Sequence, residues 1–236
     1  MSAWILVGVA FFSSALTAVL GIGGGVFLIA LMPGLLPAAA VVPVHGVVQL
    51  ASNASRAFFA RRHIAWQPIL PFAVGALIGA ALGSRVLVQL PEGWLPLLLG
   101  SFILIVTWTP VGKLRLPGRF FTIGLVQTFV SLFVGAAGPL VSPLLLQEGY
   151  EHHRVVATHG TIMTLLHGLK TLTFVALGFS FGAWAPLIIG MIIAATAGSW
   201  AGNHLRHRLP QKNLRTGFKI LLTALAIRLL LSFFLS

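Results

Sequence analysis

The chain has 236 residues, 58% of them hydrophobic and 8% charged, with 15 Lys and Arg against three acids, Glu92, Glu148 and Glu151. Apolar runs separated by short polar joints place it among polytopic membrane proteins rather than soluble globular domains. With no cysteine, disulfides and thiolate metal sites are excluded, and a net charge of +12 spread over loops, with no soluble domain or basic arm, argues against nucleic acid as a partner.

The first apolar run, Ile5 to Met32, lacks the basic lead-in of a secretory signal and continues past any plausible cleavage point, so it is read as structure. Leu20-Gly21-Ile22-Gly23-Gly24-Gly25 interrupts it. Glycines this dense do not suit a lipid-facing helix, since each costs about 1 kcal/mol relative to Ala and bares backbone amides. Irregular backbone at membrane depth survives where protein or a water-filled cavity covers it, and broken helices of that kind hold substrate in transporters. Ala3 to Leu36 is therefore expected to form a broken hairpin that binds solute at Gly23, Gly24 and Gly25.

A helix of about 20 apolar residues crosses a bilayer. Six such spans are expected at Val41 to Phe59, Trp66 to Leu87, Trp94 to Val111, Val155 to Leu177, Ala183 to Gly202 and Phe218 to Phe234. Between the third and fourth, Arg119 to Gln147 is too long for one span. It breaks at Val134-Gly135-Ala136-Ala137-Gly138-Pro139, where Pro139 suits the first turn of a new helix.

The two breaks head two similar halves. Gly25 aligns with Gly138, Val41-Val42-Pro43-Val44-His45-Gly46 with Val155-Val156-Ala157-Thr158-His159-Gly160, and Asn53 and Arg56 with His167 and Lys170. Ala65-Trp66-Gln67-Pro68 then aligns with Ala183-Trp184-Ala185-Pro186, and Leu90-Pro91 with Leu209-Pro210. The conserved order predicts one membrane domain of two repeats, residues 1–112 and 118–236. Charge sets their sense. If each broken segment re-enters and returns to its own side, Arg61, Arg62, Lys113, Arg115, Arg119, Arg154, Arg206, Arg208, Lys212 and Arg215 share one face and Arg85 alone lies opposite, as the positive-inside rule expects. The expected fold is an all-α polytopic membrane protein of two inverted repeats, each a re-entrant helical hairpin plus three transmembrane helices. Both termini are then extracytoplasmic.

On the span from Val41, the residues His45, Gln49, Ser52, Asn53 and Arg56 fall on one stripe at 3.6 residues per turn. His159, His167 and Lys170 repeat three of these positions. A charged side chain within the bilayer costs about 2.5 to 3.5 kcal/mol on insertion scales, and no intramembrane carboxylate is present to offset it. Arg56 is close enough to the end of its span to snorkel, as is Arg228, whereas Lys170 has more span beyond it. His45 and His159 each precede a glycine and have a second possible role as donors to backbone carbonyls. Gln127, Ser142 and Thr161 add candidate hydrogen bonds beside Gly138.

His152-His153 with Glu148 and Glu151 reads as a solvated turn rather than a metal site, and no cofactor is expected. The glycine cluster lacks the Lys-Ser/Thr sequel and strand of a phosphate loop. Half-helices starting near Val26 and Pro139 would aim N–H groups and positive dipole ends at the midplane. A small anion is the solute such a site favours, moved by alternating access. Inside-negative potential drives an anion outward by about 2.3 kcal/mol per charge per 100 mV, which favours export. The alternatives are an anion channel, or a membrane-embedded enzyme acting on a lipid-linked substrate through the paired histidines.

Gly21-Ile22-Gly23-Gly24-Gly25, its second copy at Gly135 to Pro143, the Arg61-Arg62-His63-Ile64-Ala65-Trp66 junction and the duplicated layout resemble the sulfite exporter TauE/SafE family. In the second copy Ala136 and Ala137 stand where glycines are common. The resemblance implies transport of small sulfur-containing anions such as sulfite, thiosulfate or sulfonates across the cytoplasmic membrane of a prokaryote.

Overall fold

A computed structural model of the chain describes residues 2–20, 23–89, 91–109, 118–136, 138–205 and 211–235. Among them every regular element is helical: α1 (Ile5–Leu20), α2 (Gly24–Leu31), α3 (Ala38–Phe59), α4 (Ile69–Leu87), α5 (Leu95–Trp108), α6 (Arg119–Val134), α7 (Val141–Gln147), α8 (His152–Ala176), α9 (Ala185–Leu205) and α10 (Gln211–Phe234). Expected features at Gly21, Ile22, Leu90, Val111, Lys113, Arg115, Ala137, Arg206, Arg208, Leu209 and Pro210 lie outside the described residues, as do the side chains of Pro139 and Lys212.

Both expected breaks are present. Helix α1 stops at Leu20 and α2 starts at Gly24, two residues earlier than expected, because Gly23 takes φ +98°, a left-handed turn that glycine adopts without a Cβ clash. Helix α6 stops at Val134, Gly135 turns with φ +68°, and a single 3-10 turn over Gly138–Leu140 precedes α7. The second half-helix therefore starts at Val141 rather than at Pro139, which sits in that turn.

Among the described residues three stretches are long and apolar enough to cross a membrane: Ile69–Leu87, Gly182–Gly202 and Asn213–Phe234. A helix satisfies its backbone internally, which lipid demands. Helices α1, α5 and α6 are apolar but shorter; at 14 residues α5 reaches about 21 Å against a hydrocarbon core of about 30 Å. Helices α3 and α8, with 22 and 25 residues, have the length to cross, and they carry the polar stripe.

The helices group into two compact units that do not follow the two sequence halves. Unit one comprises Met1–His45, Pro91–Thr109 and Phe181–Ser236; unit two comprises Gly46–Leu90 and Pro110–Ser180. In unit one α1 packs along α9 and α5 along α10, while in unit two α4 packs along α6 and α8. Under the sequence alignment, α1 with α9 and α6 with α4 are corresponding pairs. Each hairpin thus binds a long helix from the other half.

Glycines make these pairings close. A Cβ at Gly75 or Gly79 of α4 would strike the backbone of Phe121 or Leu125, and one at Gly124 of α6 would strike Phe72. In unit one, Gly198 and Gly202 of α9 lie against the backbone of Phe11 and Ala15 in the same way. Small residues four apart let two backbones approach where lipid leaves no hydrophobic drive between helices. In unit two, Phe72, Ile123, Leu144, Leu145, Ile162 and Leu166 bring α4, α6, α7 and α8 into one core, which seats the half-helix α7 beside α8.

Candidate functional site

In unit one the break is held by hydroxyls and an imidazole. The Ser13 hydroxyl donates to the Gly24 carbonyl at 2.6 Å, and Thr17 donates to the Ser13 carbonyl at 2.9 Å. Gly24 lies so close to the Thr17 hydroxyl and the Ser13 carbonyl that no Cβ fits. From α3, His45, fully buried, donates from Nε2 to the Gly25 carbonyl at 2.9 Å. A ring nitrogen facing a carbonyl must carry a hydrogen, so this contact fixes the proton on Nε2. At the C-terminal end of α1, the Arg215 guanidinium reaches the Leu20 carbonyl only at 3.5 Å, beyond the range of a strong hydrogen bond.

In unit two His159 donates from Nε2 to the Gly138 carbonyl at 3.0 Å. Matched histidines therefore grip matched glycines in the two breaks, the backbone role that the sequence left open for them. Unit two adds a cation. Lys170, with no exposed surface, donates from Nζ to the Gly135 carbonyl at 2.7 Å. Gly135 caps the C-terminus of α6, where the helix dipole favours positive charge.

The Lys170 stem passes α3 at Gly46, where a Cβ would sit 2.8 Å from Cε. Gly168 of α8 faces Leu50, and Gly160 faces Asn53 and Ala57, so this part of α3 and α8 run antiparallel in contact. The glycine after each histidine is a crossing point, and each crossing lies beside the aligned cation of the other helix, Lys170 in one case and Arg56 in the other. Arg56 is half-buried with no hydrogen-bond or ion-pair partner among the described residues.

Other predicted residues divide by role. Asn53 is buried, but its amide donates to its own helix at the Gln49 carbonyl, 2.7 Å away. His167 is buried on α8, and Ser142 lies half-buried in the first turn of α7. Thr161 donates to the Ala157 carbonyl of its own helix. Gln127 is different: it is 1% exposed, and neither Nε2 nor Oε1 has a hydrogen-bond partner. A buried amide left so costs about 1 to 3 kcal/mol, which a bound polar solute would recover. The adjacent Thr128 hydroxyl is buried and unpartnered too.

His152 and His153 are exposed, His153 lies 3.4 Å from Glu151, and no group of three metal-ligating side chains occurs among the described residues. Arg228 is exposed, with its guanidinium beside Gly34. Sequence reasoning missed Ser13, Thr17 and Gly135. Two hydroxyls four residues apart on an apolar helix were a readable sign for the first pair; Gly135 carried none beyond its place in the break.

A model of the sulfite exporter TauE/SafE family matches residues 6–229. The chain belongs to that family. Its TauE/SafE membership makes it a membrane transporter rather than an enzyme, with a small anion as solute and lipid as surroundings. No curated protein and no solved structure matches the chain.

Proposed function

We propose that the protein exports a small sulfur oxyanion or organosulfonate by alternating access, and that Lys170 is the charge at the centre of the binding site. The supporting observation is a fully buried ammonium with three N–H donors and one carbonyl partner among the described residues. A cation removed from water is costly unless it is paired, and an anion arriving beside Lys170 supplies the missing charge. Arg56 and His167 add donors around it, and His159, whose Nε2–H is taken up by the Gly138 carbonyl, holds that backbone in place. Gln127, Gln49, Asn53 and Ser142 offer polar groups that orient oxygens, and Gly138 brings backbone close. By alignment with Gly138 and His159, Gly23, Gly24, Gly25 and His45 are given the matching backbone-shaping role in the first repeat, without the charge.

The alternating motion rests on two inverted repeats, residues 1–112 and 118–236, in the cytoplasmic membrane of a prokaryote with both termini outside. Support for the repeats comes from the paired histidine–carbonyl contacts at Gly25 and Gly138. It also comes from the corresponding pairings of α1 with α9 and α6 with α4. Proteoliposomes loaded in turn with sulfite, thiosulfate, sulfoacetate, sulfate and chloride test the proposal. Sulfur anions should leave saturably and show counterflow in the native protein, and both should vanish in Lys170→Ala. Flux unchanged by that substitution would remove Lys170 from the site.

A further inference from the structure

Unit two gathers basic side chains that the transport site does not use. The 3-10 turn Arg61–His63, between α3 and α4, packs on the start of α8. The His63 and His153 rings meet edge to face at 4.5 Å, and the Ala65 amide donates to Thr158 Oγ1 at 2.9 Å, fixing the turn against the helix. Arg61 is held over the Phe58 ring at 4.8 Å and Arg154 over the Tyr150 ring at 5.3 Å. Arg61, Arg62 and Arg154 are exposed and have no carboxylate partner among the described residues. Of the nearby acids, Glu148 is taken by Arg119 at 2.7 Å and Glu151 stands beside His153.

The surroundings say what kind of anion this surface meets. Phe59 and Trp66 flank the turn at 83% and 67% exposure, the placement of aromatic side chains at a membrane interface. From there Leu70, Val74 and Leu77 run down one exposed face of α4 at spacings of four and three. Three guanidiniums above an apolar, lipid-facing stripe match a ligand with a charged head and hydrocarbon tails. A free ion would have no use for the stripe.

We infer that Arg61, Arg62 and Arg154 bind the phosphate of an anionic phospholipid whose acyl chains lie along the Leu70, Val74 and Leu77 face of α4. Basic residues at a span end on one face of the membrane attract anionic lipid, and here two chain segments 93 residues apart hold theirs together. The test is native mass spectrometry of the full chain released from nanodiscs of equal phosphatidylglycerol and phosphatidylcholine. The native protein should retain phosphatidylglycerol in at least about tenfold excess, falling about two- to fivefold for each arginine replaced. R61Q/R62Q/R154Q should show no preference, and R85Q should keep it. If the triple variant does not fold, R62Q and R154Q singly decide the matter. Equal retention of the two lipids by the native protein, an undiminished preference in the arginine variants, or loss of bound lipid to soluble glycerol phosphate would each overturn the inference.

Discussion

The two breaks share a clamp and differ in charge. In unit one, Ser13 and His45 hold the Gly24 and Gly25 carbonyls, and Arg215 stands 3.5 Å from the Leu20 carbonyl. In unit two, His159 holds Gly138 and a buried Lys170 holds Gly135 at 2.7 Å. A histidine–glycine carbonyl contact recurs in both breaks and ties each to a neighbouring helix. Among the described residues the buried charge, Lys170, belongs to unit two. Under the proposed site, clamping falls to the histidines and solute recognition to Lys170.

Substitutions sharpen this contrast in a graded order. The largest effect is expected at Lys170, where Lys170→Ala should lower anion flux at least about hundredfold, the scale of removing one partner of a buried charge pair; flux assays in proteoliposomes read it directly. Next come the helix seams. Gly79→Leu in unit two and Gly198→Leu in unit one should each destabilise by about 1 to 3 kcal/mol through overpacking, whereas Gly8→Ala, with open space around it, should stabilise α1 by up to about 1 kcal/mol. Denaturant unfolding in micelles separates them.

The clamps follow. His45→Ala and His159→Ala should each cost about 1 kcal/mol of stability by the loss of one hydrogen bond. Only His159→Ala, beside Arg56, should also weaken solute affinity, so equal effects of the two on affinity would blur the proposed division. Smallest is Ser13→Ala, expected to cost about 0.5 to 1.5 kcal/mol in thermal unfolding with transport intact.

Much of this was legible from residues alone. Dense glycine at Gly21 to Gly25 and Gly135 to Gly138 announced the breaks because backbone of that kind has no other place in an apolar run. The histidines of the His-Gly pairs were open to bonding backbone carbonyls, and both do so, at Gly25 and Gly138. The half-helix starts were misplaced because α2 begins directly after the left-handed Gly23, while Gly135 is followed by an added 3-10 turn. The pairing of α1 with α9 and α4 with α6 was not readable. Glycines four apart at Gly75, Gly79, Gly198 and Gly202 mark a close-packed face but say nothing of its partner. The acceptor for Lys170 was hidden for the same reason, since Gly135 lies 35 residues away and only the folded unit brings them together.

Thermal unfolding of the purified native protein and of Lys170→Met, with and without sulfite, bears most directly on the buried cation. An uncompensated charge in the interior destabilises, and a well-packed apolar replacement relieves it, so Lys170→Met should unfold at a higher temperature than the native chain when no anion is present. Sulfite should raise the native midpoint by mass action and leave that of the variant where it was. A sulfite shift of equal size in both proteins would contradict the account.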